Sequence, residues 1–295
     1  MLYKHFSSIV IAGGANKVLA VIGVIKFLEE HNMLKHLINL VGTSAGAILC
    51  TFIALKYTTH EIIEFFRINM CEDEEIRCLA SSDVFNVLST YGFFSGNNLQ
   101  IFIKRIITHK LGAHHENITF IDFAKMTGKN LVVCVSNLTK EKAEYWSVDT
   151  TPDRPVALAL RASCSIPILF SPVVIDGEYY IDGALYDNLP INYFKKAKLS
   201  RDILAVNIRS KGYQACDNFI NYVKFLMNSI HNKLTNQVIE DDIHQNTINL
   251  EFDDESWIQL FDMSITIPVS KLKEYSVIGY NAMQDKMKNM YLTFG

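Results

Sequence analysis

The pentapeptide Gly42-Thr43-Ser44-Ala45-Gly46 is the segment of this 295-residue chain best suited to chemistry. G-x-S-x-G puts a serine hydroxyl on a sharp strand-to-helix turn, and its small neighbours let strand and helix come close. A helix starting there also favours negative charge. The chemistry would be nucleophilic attack on an acyl carbonyl through an acyl-enzyme. The same residues allow a plainer reading, a glycine-rich helix start with Ser44 as a cap.

Such a serine needs oxyanion donors and a base within hydrogen-bond reach. Gly13-Gly14-Ala15-Asn16-Lys17 offers backbone amides in a turn between a β-branched run and a helical one. If both turns follow parallel strands, they face one crevice at the strand C-termini. Lys17 would hold a lipid phosphate or shield the turn; in an ordinary tight turn it would lie in solvent. G-x-G-x-x-G is absent and no acidic residue follows at the ribose-binding spacing, which speaks against a dinucleotide site. For the base, the residues leave two choices. Asp182 ends an apolar run in Tyr180-Ile181-Asp182-Gly183-Ala184, beside a glycine that permits close approach, although Asp-Gly also suits a surface hairpin. A late histidine, His231 or His244, would complete a Ser-Asp-His order. His231 falls in a helical pattern and His244 in an acidic polar stretch, so both read as surface residues.

Several elements must position these groups. Runs at 8–11, 38–41, 131–135, 145–148 and 203–208 read as buried strands, with 248–252 as a late one. Val173-Val174-Ile175, Asp176-Gly177 and Tyr179-Tyr180-Ile181 predict a hairpin turning on Asp-Gly. The spacing of apolar residues predicts a helix over 17–30, and 45–56 is apolar nearly all round, as a core helix is. Residues 59–127 look mostly helical, with helices over 60–70 behind Thr59, over 83–90, and over 97–110 behind Ser95. Pro155 opens a short helix to 163, and 219–233 and 271–290 are amphipathic. Strands alternating with helices imply a layered α/β fold with a mainly parallel sheet.

Bulk properties narrow the partners. Hydrophobic residues make up 49% and charged residues 20%, as in globular domains with a sizeable core. The net charge of −3 and short basic clusters give no field for nucleic acid. The six cysteines include no CxxC pair, and most lie in apolar surroundings and read as reduced core residues, which favours a reducing, intracellular setting. Positions 37–55 carry no charge, but two glycines interrupt them, and a strand-turn-helix fits better than a membrane span. The apolar start at 6–15 ends at Gly13-Gly14 without a convincing cleavage site. The expected location is cytoplasmic or at a membrane periphery. Tyr91, Phe93, Phe94 and Leu99 form either an apolar rim for membrane contact or a core anchor for the 97–110 helix.

Taken in order, the motifs resemble the patatin-like phospholipases. Gly13-Gly14 with Lys17, Ile22-Gly23-Val24 and Leu28-Glu29-Glu30 come first. Gly42-Thr43-Ser44-Ala45-Gly46, Gly92-Phe93-Phe94-Ser95 and Arg161-Ala162-Ser163-Cys164-Ser165-Ile166-Pro167 follow. Phe170, Pro172-Val173, Asp182-Gly183-Ala184 and Asn188-Leu189-Pro190 complete the series. The resemblance covers about 9–195, with 196–295 as an extension completing the same domain. It implies a three-layer α/β/α sandwich with a mainly parallel central sheet. It further implies a Ser-Asp dyad that hydrolyses lipid acyl esters without calcium or another cofactor. Ser44 matches the nucleophile and Asp182 the base, in place of His231 or His244. Gly13, Gly14 and Ala15 fall on the oxyanion turn, supported by Lys17, Gly42, Gly46 and Gly183. The family's turn usually reads G-G-G-x-R/K-G; here Ala15 and Val18 replace its third and last glycines. A requirement for positive φ at Ala15 would strain an alanine. A phospholipid or other acyl-ester lipid is the expected substrate. An acyltransferase, a neutral-lipid lipase and a silent lipid-binding protein are the alternatives.

Overall fold

The structure, a computed structural model, describes residues 5–72, 86–195, 202–211, 246–253 and 269–292, together with Tyr222, Phe225 and Ser229. The strands among them are β1 (Ser8–Ile11), β2 (Asn39–Thr43), β3 (Gly92–Phe94), β4 (Asn130–Asn137), β5 (Lys142–Trp146), β6 (Ile168–Phe170), β7 (Val173–Ile175), β8 (Glu178–Asp182), β9 (Ile203–Lys211) and β10 (Thr247–Asp253). The main sheet runs β10-β9-β1-β2-β4-β8-β7, with β5 also paired to β4. Every pairing from β10 to β4 is parallel. β5 and the β7–β8 hairpin are antiparallel, and β3 pairs with β6 apart from the main sheet. This is the expected α/β fold: a central, mostly parallel sheet with flanking helices.

Burial follows the strand period of two. Ile9, Ile11, Leu40, Val133, Leu204 and Val206 join the larger apolar cluster, and Val10, Ala12, Val41, Val132, Ile203 and Ala205 join the smaller one. With both faces covered, such strands read as unbroken apolar runs rather than alternating ones. The larger cluster draws on helices α1 (Val21–Glu30), α2 (Ala45–Ala54), α3 (Thr59–Phe66), α4 (Asn97–Leu111), α5 (Phe120–Thr127), α6 (Val156–Ser163) and α7 (Val269–Leu292). Leu189, Ile191 and Phe194 belong to the smaller cluster.

Local differences from the expected boundaries have physical causes. The first helix opens as a 3-10 turn (Ala15–Ala20), a tighter winding that suits the exit from a glycine turn. The next expected helix is capped by Thr58 rather than Thr59, because Thr58 and Glu61 close a capping box. It passes after Phe66 into a π-helical stretch (Arg67–Glu72). β5 begins three residues early because it returns antiparallel along β4. Asp176 and Gly177 turn the hairpin with φ of 52° and 79°, the mirror-image geometry that matches strand twist. The three-residue strands β3 and β6 are too short to carry a sequence pattern. Most of the helix expected over 219–233 and part of that over 83–90 lie outside the described residues.

β9 pairs with β1 and β10 with β9, so the C-terminal third adds strands to this sheet. Its helix α7 crosses α1 through Gly23 and Gly279. A Cβ at Gly279 would overlap the Ala20 carbonyl, and one at Gly23 the Ser276 carbonyl. Among the described residues no helix is long and apolar enough to cross a membrane.

One register relation positions the site. Thr43 lies opposite Cys134, and Asp182 lies opposite the next β4 residue, Val135. β5 takes the other edge at both positions. β2 and β8 therefore meet end to end along one edge of β4, which brings Asp182 to the residue that follows β2.

Candidate active site

That residue is Ser44. Its backbone has φ 54° and ψ −130°, a region where a non-glycine residue carries strain on the order of 1–3 kcal/mol. Its carbonyl accepts the first bonds of α2, from Ala47 at 2.9 Å and Ile48 at 3.3 Å. Its side chain makes no capping bond; the hydroxyl donates to Asp182 Oδ2 at 2.6 Å. The cap reading of Ser44 thus gives way to a directed hydroxyl. The elbow needs small residues. A Cβ at Gly46 would come within 2.5 Å of the Ile11 and Ala12 carbonyl oxygens, and one at Gly42 within 2.6 Å of Ala47 backbone.

Asp182 is 3% exposed, so the surface-hairpin reading fails. Its other oxygen, Oδ1, accepts the Ala184 amide at 2.8 Å. Burial pushes its carboxyl up to about 6, against the opposing pull of the Ser44 and Ala184 hydrogen bonds. It is thus a stronger base than a free aspartate, yet ionised at neutral pH. A Cβ at Gly183 would strike the Cys134 carbonyl, so only glycine lets this turn lie against β4.

The glycine turn borders the serine. A Cβ at Gly13 would fall 3.1 Å from Ser44 Cβ. Asn188 Nδ2 donates to the Gly13 carbonyl at 3.0 Å, and the Gly13 amide donates to the Asn188 carbonyl at 3.3 Å. Gly14 is extended, with φ 179°. Ala15 has φ 46°, a left-handed conformation that a glycine would occupy more easily. Lys17 is not in solvent: it lies in the 3-10 turn, is 2% exposed and is among the largest fully buried side chains.

Ser44 opens onto an apolar pocket of about 100 Å³. Ala15, Val18 and Leu19 line it from the turn, Ala45 and Ile48 from α2, Phe66 from α3, and Leu99 and Phe102 from α4. Cys164, Ile166 and Phe170 complete the wall, with Asn16 as the polar residue beside Ser44. The expected aromatic rim divides: Leu99 is pocket wall, Phe94 is buried against Phe170, and Tyr91 is exposed against Tyr179. Among the described residues no group of three or more His, Cys, Asp or Glu could hold a metal. His231 and His244 lie outside the described residues.

A model of the "Patatin-like phospholipase" family matches residues 9–195. The chain belongs to the patatin-like phospholipase family. It is 30% identical over 219 residues to "Probable lipid hydrolase 463L" of Invertebrate iridescent virus 6, covering 72% of this chain and 73% of that one. It is 26% identical over 178 residues to "Triacylglycerol lipase SDP1L" of Arabidopsis thaliana, covering 56% of this chain and 20% of that one. Among solved structures, VipD from Legionella pneumophila superposes with a TM-score of 0.59 at 18% identity, over 98% of this chain and 71% of that one. ExoU of Pseudomonas aeruginosa, in its complex with SpcU, does so at 0.50 and 15%, over 97% and 53%. These two likenesses concern the fold.

Several residues at the site escaped the sequence reading. Arg161 is 4% exposed and donates to the carbonyls of Gly96 (3.0 Å), Ser95 (2.7 Å) and Ser171 (3.0 Å), and to Ser165 Oγ. It ties the start of α4, a pocket wall, to α6; burial lowers its guanidinium to about 10. Asp187 accepts from Tyr145 Oη at 2.6 Å and Asn192 Nδ2 at 3.2 Å, and its carbonyl takes the Thr43 hydroxyl at 3.0 Å. Both residues lie in or beside the quoted motifs, but their partners are distant in sequence.

Proposed function

We propose that the protein is a lipid acyl hydrolase acting through Ser44 and Asp182: a calcium-independent phospholipase A or lysophospholipase. The observation that carries this reading is the 2.6 Å bond from the Ser44 hydroxyl to a buried carboxylate, at the mouth of an apolar pocket. Asp182 takes the proton as Ser44 attacks an acyl carbonyl whose chain lies in the pocket. The amides of Gly14 and Ala15, with the start of α2, stabilise the oxyanion. Water then cleaves the acyl-enzyme, with Asp182 as its base. Its raised pKa suits this role better than a solvated aspartate would. Membrane contact is brief and delivers one acyl chain to the pocket.

The test is fatty-acid release from mixed-micelle phospholipid with chelator present, for wild type, Ser44→Ala and Asp182→Asn. Each protein is also exposed to a fluorophosphonate probe. Wild type releases fatty acid and is labelled, and both variants are silent. A wild type that neither labels nor hydrolyses any ester leaves lipid binding alone as the function.

A neutral-lipid lipase or acyltransferase on the same dyad is the second reading. It is favoured by the pocket lining, which contains no charged side chain to read a phospholipid head group. Analysis of products from triacylglycerol and from an acyl acceptor separates the two.

A further inference from the structure

We infer that Ser163 is the positioning residue that holds the nucleophile in its strained conformation; the inference rests on the dyad reading above. The β2–β4 ladder ends at the pair Thr43–Cys134. Beyond it the Ser163 hydroxyl takes over. It accepts the Ser44 amide at 2.8 Å and donates to the Cys134 carbonyl at 2.6 Å. One side-chain oxygen therefore bridges the two strands at the residue where the backbone turns left-handed. Ser163 is fully buried at 0% exposure, so no water competes for either bond.

Two consequences follow. The Ser44 amide is committed to Ser163, so it is not an oxyanion donor, and that role falls to other amides. The end of α6 also sets the base: the carbonyl of Ser165 accepts the Asp182 amide at 2.9 Å. Cys164, between them, lines the pocket. Three consecutive residues thus register the nucleophile, the acyl pocket and the base to one another. Ser163 acts through the Ser44 backbone and touches no substrate, so its loss misplaces the nucleophile without emptying the acyl pocket.

The test compares wild type, Ser163→Ala, Ser163→Thr and Ser44→Ala. It measures kcat and KM on a fatty-acyl p-nitrophenyl ester, the rate of fluorophosphonate labelling, and hydrogen exchange of the peptide spanning 42–46. Ser163→Ala lowers kcat and labelling on the order of 10- to 100-fold, the cost of a small misplacement of a reacting group. KM stays within about twofold, since acyl binding is untouched. Exchange rises in the 42–46 peptide and not in β1 or β9. Ser163→Thr, which keeps the hydroxyl, recovers most of the rate. If Ser163→Ala does not fold, Ser163→Cys, with a weaker acceptor in the same shape, replaces it with the same pattern expected. Unchanged kcat and labelling overturn the inference. So does exchange that rises evenly across the sheet while kcat falls only with the loss of folded protein. Activity surviving in Ser44→Ala removes the dyad reading itself. A silent Ser44→Ala beside a fully active Ser163 variant removes only the role of Ser163.

Discussion

Asn188 and Gly13 are joined by two hydrogen bonds, one from the Asn188 side chain to the Gly13 carbonyl and one from the Gly13 amide to the Asn188 carbonyl. Six residues after Asp182, the chain thus fastens the turn beside the serine. Asn188→Ala removes the first bond and leaves the Gly13 carbonyl without that donor. We expect kcat to fall on the order of 10- to 100-fold if the turn supplies oxyanion donors, a loss comparable to weakening one such donor. Steady-state kinetics on a soluble ester check this. KM should change little, because Asn188 does not line the acyl pocket.

The raised carboxyl of Asp182 sets a pH dependence for activity and stability. Below about 6 the group is protonated and cannot accept the serine proton, so kcat/KM falls about tenfold per pH unit on the acid side. For stability, the unfolded carboxyl titrates near 3.9 and the folded one near 6. The native state holds the proton more tightly. This contribution is complete below about pH 4 and is lost as pH rises to about 6. Asp182→Asn keeps a neutral group throughout. Between pH 4 and 7 the variant should gain about 3 kcal/mol relative to wild type, from a shift of about two units. Denaturant unfolding of both proteins across that range measures the difference.

Ser44 is announced locally, in a small-residue turn between apolar runs. Asp182 ends an apolar run before glycine, but the residues alone leave a late histidine open as the base, and only the family resemblance points to the aspartate. The sheet was legible because buried parallel strands are continuous apolar segments. What stayed hidden is set by long separations. Ser163 reaches Ser44 across 119 residues of chain, and Phe66, Phe102 and Phe170 meet only in the folded pocket. Lys17 shows a different limit. A lysine after a glycine turn reads as solvated or ligand-bound, and only the folded structure shows that it is buried.

Ala15 carries the departure from the family's glycine-rich turn, and its φ of 46° gives that departure a cost. An alanine in left-handed backbone is destabilised relative to glycine. Ala15→Gly should therefore stabilise the protein by about 1 kcal/mol, despite the greater freedom of glycine when unfolded. For a chain of this size the melting temperature should rise by about 2–4 °C. Calorimetry of the variant decides it. A lower melting temperature would mean that the turn accommodates alanine without strain.

The crossing of α1 and α7 depends on backbone contact at two glycines. In Gly279→Ala, the added methyl would overlap the Ala20 carbonyl, which cannot rotate away as a flexible side chain would. The helices must separate, at a cost of about 3 kcal/mol or more. Urea unfolding should show a lower midpoint. Limited proteolysis should cut within 269–292 before the rest of the chain. Activity per folded molecule should persist, because α7 contributes no residue to the pocket lining.

Chain-length selectivity should reside in Ile48. It lies one helical turn beyond Ser44 on α2, faces the pocket, and is 7% exposed. Ile48→Trp adds bulk to space that an acyl chain would fill, while the dyad and the glycine turn stay in place. Esters of short acids reach Ser44 without entering past this position, and long chains do not. Across a series of p-nitrophenyl esters from acetate to palmitate, kcat/KM for the long members should fall on the order of 100-fold relative to the short ones. An equal loss at every length would mean that the larger side chain had disturbed the elbow rather than filled the pocket. No loss at any length would mean that the acyl chain leaves Ser44 by another path, along the membrane side rather than into the protein.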